Sequence, residues 1–354
     1  MAGAPRTATV EAAIYTDTWI LGEYETGPLK FINTLADPRH QTSLRPGIVL
    51  RFSCYWPPRG YARVAGTKDG HYHGGDYLDE IAALTSLALG IRAQAGPITR
   101  EFWDGGDPLG HPTILSGMKP IPTLGQSVGD LMLPRIREPA NLTNLSMLGK
   151  IPRLTRDVAG AVIKCARSYQ SALWFADSNP EMSWLFLVSA IETAAGYWAK
   201  KNFKGHDAGL ADDVKSVLEE HGCPISVHAP LANLLREHTK ATKKFTAFLV
   251  NFLPEPPPED KRPHENVRVK YVAGELEEDF KAIYGYRSRA LHNSIPFPYP
   301  MCVPPNAQIK EERNFSLGAS ARGATWDFTK YRPLMFHTFE HIARGALQQW
   351  IRTL

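Results

Sequence analysis

The chain has 354 residues, 43% hydrophobic and 21% charged, with a formal net charge of +4 and a pI of about 8.7. This length accommodates two domains. The composition excludes a disordered or low-complexity polymer, and the mild basicity permits contact with a polyanion without a dedicated basic tail. Cys54, Cys165, Cys223 and Cys302 lie far apart with no C-x-x-C pair. That pattern fits unpaired thiols in a reducing compartment better than a disulfide framework or a zinc site. The first residues, "MAGAPRTATVEAAIYTD", lack a long apolar h-region, so no signal peptide is expected and we expect a cytoplasmic protein.

In chain order, "ATVEAAIYT" and "GIVLRFSCYW" carry β-branched and aromatic residues at strand spacing. Gly and Pro punctuate what surrounds them. One helix stands out, residues 76–94, with Asp76 or Asp79 as its cap, Leu84, Leu87 and Ile91 in its apolar stripe, and Gly96–Pro97 as its close. From residue 153 helical periodicity takes over. Residues 156–177 place Val158, Val162, Cys165, Tyr169 and Leu173 on one face, and Asn179–Pro180 ends them.

Residues 181–201 are apolar nearly all round, which predicts a central helix. They include Glu192 and fall short of a membrane span of about 20 apolar residues. Further helices are expected over 208–222, as one or two within 231–253, over 275–293 and over 331–354. Residues 254–270, with three consecutive prolines, read as an extended loop. The expected architecture is an α+β domain over 1–152 followed by an all-α helical domain over 153–354.

Several residue groups carry possible chemistry. His71 and His73 in "DGHYHGGD" share an H-x-H spacing with Asp69 and Asp76 nearby, a possible metal pair without an assignable third ligand. Glu101, Asp104, Asp107 and His111 cluster in "EFWDGGDPLGH", where a Gly–Asp turn series accounts for them more simply. Lys200, Lys201, Lys204, Lys240, Lys243 and Lys244 either line a polyanion path or solvate helix ends. Neither a P-loop nor a G-x-G-x-x-G is present, so NTPase and dinucleotide readings lack support.

The last group is Arg287 and His292, in "YGYRSRALHNSIP". Composition alone predicts about one R-x4-H spacing in such a chain, and a second match exists, Arg332 to His337. Context separates them. Arg332 is followed by Pro333 and an apolar run that reads as core, whereas Arg287 is followed by Ser288 and a helix end. Positions five apart on a helix lie about 140° round. The two side chains therefore meet one phosphate only where the helix loosens, and Gly285, Asn293 and Pro296 lead us to expect that. The plain alternative is a helix C-terminus that favours cations.

"YGYRSRALHN" resembles the R-x4–6-H motif of the HEPN superfamily, helical domains of toxins, antiphage effectors and RNA-processing nucleases. The order of elements over roughly 155–354 is similar to the abortive-infection branch, although Asn293 stands where that branch often has glycine. The resemblance implies a HEPN-like bundle whose Arg287 and His292 cleave RNA without a metal or other cofactor. It also implies a homodimer that assembles the site, and Glu192, Tyr286, Ser288 and Asn293 would support it. The N-terminal domain would sense a phage or host trigger, with no membrane involved. A HEPN-like module without catalysis, used for binding or dimerisation, is the alternative.

Overall fold

The computed structural model describes residues 6–34, 44–56, 74–103, 106–112, 119–125, 129–202, 212–314, 320–321, 324–325 and 332–354. Ala8, Val10, Ala12 and Ile14 are all buried along β1 (Arg6–Thr16). This is the period-two pattern of a strand with one face in a core. The short β2 (Ile20–Leu21) follows, then a hairpin of β3 (Glu23–Thr26) and β4 (Leu29–Asn33), and the long β5 (Arg45–Trp56).

Helix α1 (Tyr77–Leu89) opens on a reciprocal cap: Asp76 Oδ1 accepts from Asp79 N at 3.0 Å, and Asp79 Oδ2 from Asp76 N at 3.1 Å. Strands β6 (Gln94–Trp103) and β7 (His111–Pro112) complete an antiparallel sheet of order β3-β4-β5-β1-β6-β7. Strand β8 (Ala140–Asn141) pairs in parallel with β2 and leads into a 3-10 segment, Leu142–Arg153.

Among the described residues six α-helices follow: α2 (Arg156–Phe175), α3 (Pro180–Asn202), α4 (Asp212–Glu220), α5 (Ile225–Asn251), α6 (Ala273–Asn293) and α7 (Phe336–Thr353). An antiparallel sheet region thus precedes a mostly helical C-terminal part. Proline opens α3, where its missing N–H costs nothing, and Asn179 Oδ1 accepts from Met182 N at 3.1 Å. Helix α3 packs against α2, α5, α6 and α7. Trp184 at its start is fully buried and stacks on Phe297 and Phe339.

Three expected boundaries are corrected. The helix expected to reach residue 94 stops at Leu89, because Gly90 takes a left-handed conformation (φ 69°) and its N–H closes on Ser86 O at 2.8 Å. Residues 94–103 then join the sheet as β6. Residues 231–251 belong to one helix that begins earlier, at Ile225, and ends at Asn251. The last helix starts at Phe336 rather than 331, after Pro333 and a bridge between Leu334 and Arg313.

Sheet and helices share one apolar core, which runs continuously from Val10 to Ile351. Helix α1 is buried on nearly every side because it lies between β6 and α2. The Arg92 side chain, fully buried after α1, ties the two parts together. Its Nη1 donates to Asp17 Oδ2 at 2.8 Å, its Nε to Leu173 O at 2.9 Å, and its Nη2 to Asp177. Among the described residues, no helix is long and apolar enough to cross a membrane.

Candidate functional site

Helix α6 forms because Leu276, Phe280, Ile283 and Tyr284 recur at i, i+4, i+7 and i+8 and bury one face against the bundle. It is α-helical throughout, Gly285 included, up to Asn293. Ser294 ends it in the left-handed region (φ 56°), with Ile295 N–H donating to Arg289 O at 3.3 Å. The expected loosening around Gly285 and Asn293 does not occur. Arg287 and His292 therefore stand about 140° apart round the helix and roughly 7.5 Å apart along it.

Arg287 faces the central helix. Its Nη2 lies 2.6 Å from Glu192 Oε2, and Tyr284 Oη donates to Glu192 Oε1 at 2.8 Å. The guanidinium carbon sits 5.7 Å from the centre of the Tyr284 ring. Glu192, Tyr284 and Arg287 thus form a triangle between α3 and α6, with both charged side chains about one-fifth exposed (23% and 19%). Burial, then the hydrogen bond to Glu192, pushes the Tyr284 phenol well above its usual range, so it stays a donor. Arg287 Nε is buried without a hydrogen-bond partner. A buried donor left open is costly and marks a place where a further acceptor fits.

The other expected residues lie elsewhere on the helix. Tyr286 is buried toward Phe297, and Arg289 stacks over its ring at 4.7 Å. Ser288 is half-buried, and His292 and Asn293 are exposed at the helix end. A pocket of about 380 Å³ opens beside the triangle, lined by Thr242, Lys281, Tyr284, Gly285, Ser288 and Arg289. Tyr284 forms both its wall and one corner of the triangle. It was missed in the sequence, though its place three residues before Arg287 puts both on one helix face.

Of the remaining candidates, His71, His73, Asp69 and Asp104 lie outside the described residues. Glu101 and His111 face each other in register across the β6–β7 hairpin, and Asp107 Oδ1 accepts from Leu109 N at 2.8 Å, a turn role. Lys200 Nζ lies 5.7 Å from the Tyr197 ring, Lys243 is exposed and Lys244 half-buried. Lys204 and the side chains of Lys201 and Lys240 are outside the described residues. Among the described residues, no three metal-ligating side chains converge.

No family model, no curated protein and no solved structure matches this chain.

Proposed function

We propose that the helical part is a HEPN-like, metal-independent endoribonuclease, with Arg287 and His292 as its reacting groups. The observation that carries this reading is the Arg287 guanidinium, oriented by Glu192 and Tyr284, with its buried Nε open to one more acceptor. A phosphate oxygen is such an acceptor, and arginine is the side chain best matched to it. In the proposed reaction the 2′-oxygen of RNA attacks its own phosphorus while a histidine takes the 2′-OH proton. The P–O5′ bond breaks as an acid protonates the 5′-oxygen, leaving a 2′,3′-cyclic phosphate and a 5′-hydroxyl.

One histidine and one arginine 140° apart on a regular helix do not serve all three roles at one phosphate. The proposal therefore includes a homodimer in which two copies of the α6 end face each other. Tyr286, Ser288 and Asn293 would shape that surface. The N-terminal sheet region would gate the nuclease in response to a phage or host trigger, in a cytoplasmic, antiphage setting.

A second reading draws on the same ion pair. Glu192 already neutralises Arg287, as in a structural bridge, and this favours a HEPN-like binding or dimerisation module without catalysis. The test is cleavage of RNA by the purified full chain in excess EDTA, beside His292→Ala and Arg287→Lys. Removal of the exposed His292 should abolish cleavage in a protein that still melts cooperatively. Cleavage retained in His292→Ala overturns the nuclease reading. A dimeric wild-type protein that cuts no RNA supports the module.

A further inference from the structure

The C-terminal end of α6 carries two different faces. Arg287 lies on the side turned to α3, against Glu192. His292 is exposed. Because the helix is regular up to Asn293, its geometry fixes which residues share the histidine's face. Ser288 lies about 40° round and ~6 Å along, Gly285 about 20° and ~10 Å, and Lys281 about 20° and ~16 Å. These three line the pocket of about 380 Å³, to which α5 contributes Thr242. His292 therefore stands one turn beyond that pocket and in line with it. Arg287 is not among the lining residues.

The arginine of the pocket is Arg289, three residues before His292 and so its neighbour on the helix surface. Its guanidinium carbon sits 4.7 Å from the centre of the Tyr286 ring, which is buried. A guanidinium stacked in this way is held by one face and keeps its N–H edge for an anion. Arg289 pairs with no carboxylate among the described residues. Lys281, at the far end of the row, adds a second cation and is shared with Glu277 (3.1 Å) and Glu278 (2.8 Å). By contrast, the larger cavity of about 880 Å³ between the sheet region and α7, which His337 and Tyr271 line, has its cations dispersed: Lys150 Nζ donates to Arg352 O at the opposite end of α7 from His337.

Gly285 lies on the wall between these cations. Its backbone is helical, which asks for no glycine, and a Cβ there would meet nothing within 4 Å. Glycine weakens a helix interior, and at this position neither backbone nor packing requires it. What it does provide is bare helix backbone that a flat group can approach closely.

We propose that this pocket holds the nucleotide next to the scissile phosphate, on the same chain as the histidine that acts on that phosphate. Arg289 takes the nucleotide's own phosphate, and the sugar and base lie over Gly285 between Ser288 and Thr242. The proposal rests on the nuclease reading and deepens it. Arg289 is a binding residue here: it positions the strand, and no bond forms or breaks at it.

The test uses the full chain and a fluorescent pool of random-sequence 2′-O-methyl RNA decamers, whose blocked 2′-oxygens prevent cleavage. Fluorescence anisotropy should show saturable binding, weakened tenfold or more in Arg289→Gln and likewise in Gly285→Gln. The second variant changes no charge, so its effect separates a shaped pocket from general attraction of a polyanion. Its melting temperature should be no lower than the parent's, since the space beside Gly285 is open. On unmodified RNA both variants should raise KM far more than they lower kcat, whereas His292→Ala should lose kcat and still bind the pool. Absence of saturable binding, or binding undiminished in either variant, overturns the pocket proposal even where the wild-type protein cuts RNA. Binding weakened in both variants of a protein that cuts no RNA upholds the pocket as a nucleotide site and overturns the nuclease reading alone.

Discussion

Glu192 is a carboxylate on the most apolar helix of the chain, and it is tolerable there because Arg287 and Tyr284 both reach it. Removing the charge while keeping the shape, as Glu192→Gln, leaves the arginine half-buried and unpaired. A loss of about 1–3 kcal/mol is expected in urea denaturation, and about 1–2 kcal/mol for Tyr284→Phe, which gives up one hydrogen bond to a charged acceptor. An effect under about 0.5 kcal/mol for both would show that the triangle does not hold α3 to α6. That Glu192 belongs with the Arg287 site is what the resemblance implies. Which tyrosine joins them is not readable from the sequence, because Tyr284 and Tyr286 are equally aromatic and only their rotation about the helix separates them.

His337 illustrates the same limit, since its spacing from Arg332 is the same as that of His292 from Arg287. Its pKa in the fold, about 3, lies below the ordinary 6.5. The unfolded chain therefore takes up the proton first. The stability this side chain contributes is complete above about pH 6.5 and is lost as pH falls toward 3, at up to about 1.4 kcal/mol per pH unit. His337→Gln should shrink the stability lost between pH 7 and 5 by about 1–2 kcal/mol, read from denaturant midpoints at each pH. An unchanged slope would count against the buried neutral histidine.

At the scale of elements, apolar periodicity locates helices well and their ends poorly. Leu84, Leu87 and Ile91 continue a helical stripe, yet Gly90 closes α1 before the third of them. The stripe persists because Ile91 still packs into the core from the turn beyond. Gly90→Ala would force a Cβ into a left-handed backbone and to 2.9 Å from Arg344 Cζ. A loss of about 1–3 kcal/mol is expected. At the end of α6 the opposite change applies: Ser294 holds φ 56° without glycine's freedom. Ser294→Gly should be neutral or stabilise by up to about 1 kcal/mol. Thermal melts of the two variants should therefore move in different directions, and a Gly90→Ala protein as stable as the parent would contradict the capping account.

For the whole molecule, the question is whether sheet and helices unfold together. The composition shift near residue 153 reads as a boundary, but the core crosses it, and Arg92 carries charge across it to Asp17 on one side and Asp177 on the other. Arg137 adds a second contact to Asp17 at 3.1 Å. Arg92→Ala would leave Asp177 without its cation and Asp17 with Arg137 alone, and should cost about 3–5 kcal/mol. Wild-type unfolding should give one transition, coincident by far-ultraviolet circular dichroism and tryptophan fluorescence. Two separated transitions would mean that the joint is weaker than its burial implies.

The sequence by itself determines the class of each half, strands first and helices after, because periods of two and of 3.6 are local properties written into successive residues. It also marks α3 as central, since a helix apolar on every side has to be buried. What tertiary structure alone decides is which polar groups meet. Glu192 and Arg287 are 95 positions apart, and only the crossing of α3 with α6 brings them together. His337 and Tyr271 come to one cavity wall only when α7 folds back against the loop before α6. Charge and hydrogen bonding act over a few ångströms in space, and the chain's order does not encode that distance.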